Sequence, residues 1–66
     1  LTAYLNHFLS GLSRDDRYLF LRRYWYGDRI SDIAGKLNIT PHTASVRLFR
    51  LRLKLQDYLQ KEGMIA

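Results

Sequence analysis

The chain has 66 residues and a mass of 7.9 kDa, which is enough for one small domain. Hydrophobic residues make up 47% of it and charged residues 26%, a composition typical of a folded domain rather than a disordered tail. It contains no cysteine, which excludes disulfides, thiolate zinc sites and cysteine nucleophiles. Because so small a core leaves little room for a substrate pocket, we expect no enzymatic activity and no cofactor.

Nothing in the sequence indicates a membrane protein. No apolar stretch approaches the roughly 20 residues that span a bilayer, and neither end resembles a signal peptide. We therefore expect a cytoplasmic location. The sequence starts at Leu1 rather than at a methionine, which predicts a fragment of a longer protein. No repeat or linker divides it, so residues 1–66 are interpreted as a single domain.

Positive charge is concentrated in the second half of the chain. Residues 1–33 carry five basic and four acidic side chains, a net charge of +1. Residues 34–66 carry six basic and two acidic side chains, a net charge of +4. Such an excess in one half is typical of a protein that binds an anionic partner.

Apolar periodicity and capping residues predict four helices and no strand, so the predicted fold class is all-α. The first helix should cover residues 2–9, with Gly11 just beyond its end. Ser13 is a suitable N-cap for the second helix. That helix should extend through Tyr26 and stop at Gly27.

The last two helices are separated by a short turn. The third helix should begin at Ser31 as its N-cap and end at Asn38, a residue that tolerates the left-handed conformation. Thr40 should cap the last helix, because the proline after it excludes Thr40 from the α region and suits the first helical position. This helix should cover residues 41–62 and stop at Gly63, which makes a rod of about 30 Å.

The last helix has distinct faces at about 100° per residue. Its apolar core positions share one arc: Ala44, Leu48, Leu51, Leu55, Tyr58 and Leu59. Its basic side chains share a neighbouring arc: Arg47, Arg50, Lys54 and Lys61. Four further residues lie roughly opposite the core: His42, Val46, Phe49 and Leu53. The start of this helix should therefore project into solvent beside a basic flank.

A short helix, a three-residue turn and a longer helix are typical of a helix-turn-helix. Ala34 is small enough for the two helices to cross closely, and Ile39, the apolar residue of the turn, follows it by five positions. Ala44, on the second helix, follows after five more. In this arrangement the second helix enters the major groove of DNA, and its first turns contact base edges.

Three segments carry a resemblance to a known family: RYLFLRRYWYG at residues 17–27, ISDIA at residues 30–34 and VRLFRLR at residues 46–52. Over residues 12–63 the chain resembles region four of bacterial RNA polymerase sigma factors, in the compact form of extracytoplasmic-function members. The segments occur in the family's order over about fifty residues, which is more specific than a helix-turn-helix pattern alone.

The resemblance implies a domain that contacts the upstream (minus thirty-five) promoter element and docks on the flap of the polymerase β subunit. It implies base-edge contacts from Ser45, Val46 and Arg50. It implies phosphate contacts from four residues: Thr40, Thr43, Arg47 and Arg23. The position and chemistry of the last helix add further candidates for DNA binding: Pro41, His42, Phe49 and Lys54.

Two of these positions depart from the family's tendencies. Ser45 stands where many relatives have a basic residue, and Val46 stands where they tend to be polar, although a valine can contact a thymine methyl group. The expected partners are double-stranded promoter DNA and the polymerase core, with an anti-sigma protein as a further candidate. We expect the domain to be a monomer.

Some side chains admit more than one interpretation. The aromatic run at residues 24–26 suits core or interface packing better than a stacking platform for single-stranded bases, because it falls inside a predicted helix. Phe49 and Leu53 suit either partial packing on the first helix or a surface that binds polymerase or an inhibitor. His7 and His42 lie on different helices without a carboxylate pattern, so no metal site is predicted.

Two other functions fit the same pattern. One is the helix-turn-helix output domain of another transcriptional regulator, such as a response regulator, which would dimerise through its last helix. The other is a protein-interaction or membrane-surface module built on the basic amphipathic last helix. An enzyme is the least supported function, since no nucleophile set, metal set or phosphate-binding glycine loop is present.

Overall fold

A computed structural model describes residues 2–63, and Leu1 and residues 64–66 of the predicted single domain lie outside that range. The described chain forms four helices and no strand, which confirms the predicted all-α fold. In chain order they are α1 (Thr2–Ser10), α2 (Arg14–Tyr24), α3 (Ile30–Leu37) and α4 (Pro41–Lys61). None of these helices has both the length and the apolar character needed to cross a membrane.

Two of the predicted N-caps form as expected. The Ser13 hydroxyl accepts a hydrogen bond from the backbone N–H of Asp16 at 3.2 Å, which starts α2. The Thr40 hydroxyl accepts one from the backbone N–H of Thr43 at 3.1 Å, and Pro41 occupies the first helical position of α4. Both helix starts are therefore determined by local side-chain chemistry.

The turn between α3 and α4 also confirms the prediction. Asn38 adopts the left-handed conformation with φ of 60°, and its N–H donates to the carbonyl of Gly35 at 3.3 Å. The next N–H, that of Ile39, donates to the Ala34 carbonyl at 3.0 Å. These bonds end α3 and direct Ile39 back against the core.

The predicted end of α2 and the predicted start of α3 are wrong by two residues each. Regular helix ends at Tyr24 rather than Tyr26, because the Tyr26 N–H donates to the Leu21 carbonyl and so widens the last turn. Gly27 still provides the left-handed residue after the helix, with φ of 73°.

The third helix begins at Ile30, so Ser31 is not its N-cap. The residue before it, Arg29, is extended and uses its backbone carbonyl, not its side chain, to accept the N–H groups of Asp32 and Ile33. This earlier start lets Ile30 pack against the core. A side-chain cap was therefore not required here.

The core draws on all four helices. Its buried members are Phe8, Leu9, Leu19, Phe20, Ile33, Ala34, Ala44, Leu48 and Leu51. Ala34 on α3 and Ala44 on α4 are both fully enclosed, which suits the close crossing of a helix-turn-helix. Leu55 and Tyr58 extend the core face of α4 towards its C-terminal end, as predicted.

Candidate nucleic-acid interface

The first two turns of α4 lie at the surface. Five of the predicted DNA-contact residues there are exposed: Thr40, Pro41, His42, Thr43 and Ser45. The Thr40 and Thr43 hydroxyls are hydrogen-bonded to each other at 2.9 Å, which holds both side chains at the helix start. The N-terminus of a helix presents free N–H groups and partial positive charge, so this end of α4 suits a phosphate.

Two cations continue this surface along α4. Arg50 and Lys54 are exposed, and neither forms an ion pair with any residue in the range 2–63. They lie on the same flank of the helix as Arg47, as the periodicity predicts. Two positive charges that are unpaired within the described residues therefore lie along α4 beyond its exposed start.

Arg47 differs from these neighbours because it is already engaged. Its Nη2 atom donates a hydrogen bond to Oδ1 of Asp16 at 2.8 Å, and the two side chains are 31% and 22% exposed. The pair joins α4 to the first turn of α2 across 31 sequence positions. The sequence analysis did not predict this contact, since no local signal links residues so far apart.

Arg23 is held at the other end of α2. Its Nη1 atom donates to the backbone carbonyl of Asp28 at 3.0 Å, while the Asp28 carboxylate is bonded to Arg22. That hydrogen bond raises the pKa of Arg22, whose guanidinium also lies 4.3 Å from the Tyr26 ring centroid. Arg23 is thus a residue of α2 that anchors the following loop, and this contact already uses one of its donors.

The other flank of α4 is apolar. It forms a groove with α2, here called the apolar groove, lined by Phe20, Tyr24, Phe49, Arg52, Leu53, Leu55, Gln56 and Leu59. Phe49 and Leu53 are 58% and 50% exposed in it. Of the two interpretations left open for these residues, partial packing on the first helix is not favoured, because the groove they line is walled by α2.

The aromatic run at residues 24–26 borders this groove. Of the expected core or interface packing, the core part holds only for Tyr24, which contacts the Phe20 ring at a centroid distance of 5.0 Å. Trp25 is 74% exposed and Tyr26 is also exposed, so neither is a core residue, and interface packing stays a prediction for them. Both lie at the C-terminal end of α2, where Trp25 is the C-cap. Trp25 and Tyr24 line a second recess that shares Leu55 with the groove.

Val46 lies between the two flanks. It is half-buried although the periodicity places it opposite the core, so only part of its side chain is available to a partner. The remaining site candidates therefore divide into an exposed helix start, a basic flank and an apolar groove to which Phe49 belongs.

Within residues 2–63 there is no group of three or more side chains that could hold a metal ion. His7 stacks on Tyr58 with a centroid distance of 5.9 Å, and His42 lies at the start of α4.

Comparison with protein families decides the interpretation. The family model described as sigma-70, region 4, matches residues 2–55, which is most of the chain and includes α3 and α4 up to Leu55. The chain belongs to the sigma-70 region 4 family. No significant match was found among curated proteins or among solved structures.

Membership of the family specifies the general function. A sigma-70 region 4 domain binds promoter DNA as part of a sigma factor and works with RNA polymerase in transcription initiation. The matched range begins at α1, ten residues before the range over which the sequence resemblance was recognised. The family match therefore favours a sigma factor over a response-regulator output domain.

Proposed function

We propose that this region 4 domain recognises the upstream (minus thirty-five) promoter element by inserting the start of α4 into the major groove. The observation that carries the proposal is the exposed start of α4, followed along the same helix by two cations that form no ion pair within residues 2–63. The helix-turn-helix that presents it buries Ala34 and Ala44 fully. In this geometry Thr40, Thr43 and the helix N-terminus contact phosphate.

Base recognition is assigned to three side chains. Arg50 is exposed and has the planar donor fork that suits O6 and N7 of guanine. Ser45 is exposed and can hydrogen-bond to several base edges, while the accessible part of Val46 suits a thymine methyl group. His42 and Pro41 lie at the same helix start and complete the contact surface.

Phosphate binding should provide most of the affinity. The candidates Thr40, Thr43, Arg47, Lys54 and Arg23 correspond to about four to six phosphate contacts, each of which adds about −0.9 to the slope of log affinity against log salt. An isolated domain of this kind is expected to bind weakly, because the rest of the polymerase supplies additional contacts to the same promoter.

The apolar groove is the proposed contact surface for the β-subunit flap. Large exposed apolar side chains such as Phe49 and Leu53 are typical of a protein-binding surface. The groove is formed between α2 and α4, and neither Arg50 nor Lys54 lines it, so DNA and polymerase can be bound together. An anti-sigma protein that covered the same groove would prevent docking. The free domain is proposed to be a cytoplasmic monomer.

Chemical-shift mapping of the labelled domain tests both surfaces. Titration with a promoter duplex should shift residues 40–50, and titration with a flap fragment should shift the residues that line the apolar groove. A scrambled duplex of the same length is the control, and it should produce smaller shifts at the helix start. DNA shifts without any response to the flap would contradict the polymerase assignment, and silence with both ligands would contradict the whole proposal.

A further inference from the structure

We propose that Asp16 is a positioning residue for DNA binding, which acts by holding the Arg47 guanidinium in place on the DNA-facing flank of α4. This inference rests on the proposed function, since it concerns how the same surface is prepared for phosphate. Asp16 itself is on α2, outside the helix-turn-helix, and it need not touch DNA.

The ion pair is fixed at its acidic end. Asp16 lies in the first turn of α2, where its own N–H is bonded to the Ser13 hydroxyl and the next N–H, that of Arg17, is bonded to the Ser13 carbonyl at 2.9 Å. Its carboxylate is only 22% exposed. A capped helix start and partial burial together restrict where this carboxylate can point.

The basic end of the pair keeps donors for a second partner. A guanidinium has five N–H donors, and the contact with Asp16 uses one donor of Arg47. The Arg47 side chain is 31% exposed, so a phosphate can approach its solvent side without displacing the carboxylate. Moving Arg47 away from Asp16 would instead leave a half-buried carboxylate without its partner, which is unfavourable.

Among the ion pairs within residues 2–63, it is this pair that connects two different helices. The other two join neighbours in sequence, at Arg22 with Asp28 and at Asp57 with Lys61. Arg47 follows Ala44 by less than one turn, so a contact that fixes Arg47 also fixes the orientation of the start of α4 relative to α2.

The positioning role predicts an effect opposite in sign to simple electrostatics. Removal of a negative charge near DNA should strengthen binding, because repulsion of the phosphates is reduced. Loss of a positioning contact should weaken binding, because Arg47 must then be ordered at the moment of association. The sign of the change in affinity therefore distinguishes the two roles.

Asp15 provides a matched control. It is the neighbouring acid in the same first turn of α2, it is exposed, and it forms no ion pair within residues 2–63. Asp15→Asn and Asp16→Asn remove the same charge and the same interaction with the helix dipole. Only the second substitution removes the charged partner of Arg47.

The experiment measures the affinity of the 66-residue chain and of its variants Asp15→Asn, Asp16→Asn and Asp16→Glu for promoter and scrambled duplexes, at a temperature where all are folded. We expect Asp16→Asn to bind the promoter duplex about three- to fivefold more weakly than the unchanged chain. We expect Asp15→Asn to bind equally well or more tightly, and Asp16→Glu, which keeps the charge, to recover most of the affinity. Asp16→Asn binding as tightly as Asp15→Asn would overturn the inference.

Two further outcomes remain decisive. If the unchanged chain prefers no duplex, the proposed function fails and the inference fails with it, whereas a failure confined to the Asp16 comparison leaves DNA binding intact. If Asp16→Asn does not fold, arginine side-chain NMR of the unchanged chain decides. Rotation of the Arg47 guanidinium should be restricted in the free chain and stay restricted on DNA, and release from Asp16 in the complex would overturn the inference.

Discussion

The two flanks of α4 are built from residues of one short segment, yet one flank is basic and the other is apolar. One flank carries Arg50 and Lys54, which are exposed, are unpaired within the described residues and lie further along α4 than its start. The other carries Phe49 and Leu53, which are equally exposed but face an apolar groove walled by α2. Both flanks lie outside the buried face of α4, so neither supplies the main stability of the fold.

This difference shows how adjacent residues can serve different partners. Phe49 and Arg50 are neighbours in sequence, but 100° of helical rotation directs one towards the apolar groove and the other towards the basic flank. Protein docking removes water from the surfaces that it joins, which is unfavourable for unpaired charges. An apolar groove, in turn, makes no favourable contact with phosphate. The separation therefore permits DNA and polymerase to be bound without competition between them.

The largest expected effect comes from the crossing on which both flanks depend. Ala34→Leu inserts a larger side chain where α3 meets α4, and overpacking of this kind costs about 1–3 kcal/mol or more. In a domain of this size that is much of the free energy of unfolding. Urea denaturation should show the loss, and binding to DNA and to the flap should fall together.

Gly35→Ala is the control for this substitution. It lies next to Ala34 on α3, is exposed, and has nothing within 4 Å of the position that a Cβ would occupy. Alanine should therefore stabilise the domain by about 0.5–1 kcal/mol through helix propensity. Equal stability of Ala34→Leu and Gly35→Ala would contradict a close α3–α4 crossing.

The next prediction separates the flanks directly. Arg50→Ala should weaken binding to the promoter duplex by about 1–3 kcal/mol and relax base preference, because a bidentate base contact is lost. It should leave flap binding unchanged. Phe49→Ala should have the reverse profile, a weaker complex with the flap fragment and an unchanged complex with DNA.

Fluorescence anisotropy with labelled duplex and labelled flap fragment measures both profiles for the same preparations. If Phe49→Ala weakened DNA binding as much as Arg50→Ala did, Phe49 would belong to the DNA surface, as the sequence alone predicted. Such a result would also mean that the apolar groove does not define a separate surface.

A smaller effect is expected from Lys54, further along the basic flank. Lys54→Ala should weaken binding to all duplexes by a similar amount and reduce the salt slope by about 0.9, since it removes one phosphate contact. Titrations at several salt concentrations measure this slope. A loss confined to the promoter duplex would indicate a base contact instead.

The smallest effect concerns the C-terminal end of α4, which belongs to neither flank. Partial burial, together with Glu62 and Tyr4, raises the pKa of Tyr58. A phenol with a higher pKa in the folded state stabilises the fold fully below its unfolded pKa of about 10 and loses that contribution as the pH rises through the folded value. Tyr58→Phe should therefore lose less stability than the unchanged chain between neutral and strongly alkaline pH, as thermal unfolding at each pH can show.

The parts of the fold that the sequence predicted best are those with local chemical causes. Ser13, Thr40 and Asn38 each act on backbone groups within a few residues, so their roles follow from residue type and spacing. The buried face of α4 was likewise predictable, since helical periodicity is a local property.

The errors arose where distant or backbone-only interactions decide the structure. The end of α2 depends on how Tyr26 and Asp28 bond back to the helix, and the start of α3 depends on a carbonyl of Arg29 rather than on a side chain. The Asp16–Arg47 pair and the apolar groove need the assembled helices, which place α2 beside both flanks of α4. Local patterns contain no information about these contacts.

The exposed indole at the end of α2 gives the domain a spectroscopic label of its own. Trp25 is the single tryptophan in the chain, it is mostly in contact with solvent, and it lines a recess that continues into the apolar groove. A polypeptide seated there would transfer the indole to a less polar environment and shift its emission to shorter wavelength. A duplex on the basic flank would leave the emission maximum unchanged. The emission of the unlabelled protein can therefore report whether the recess at Trp25 is occupied.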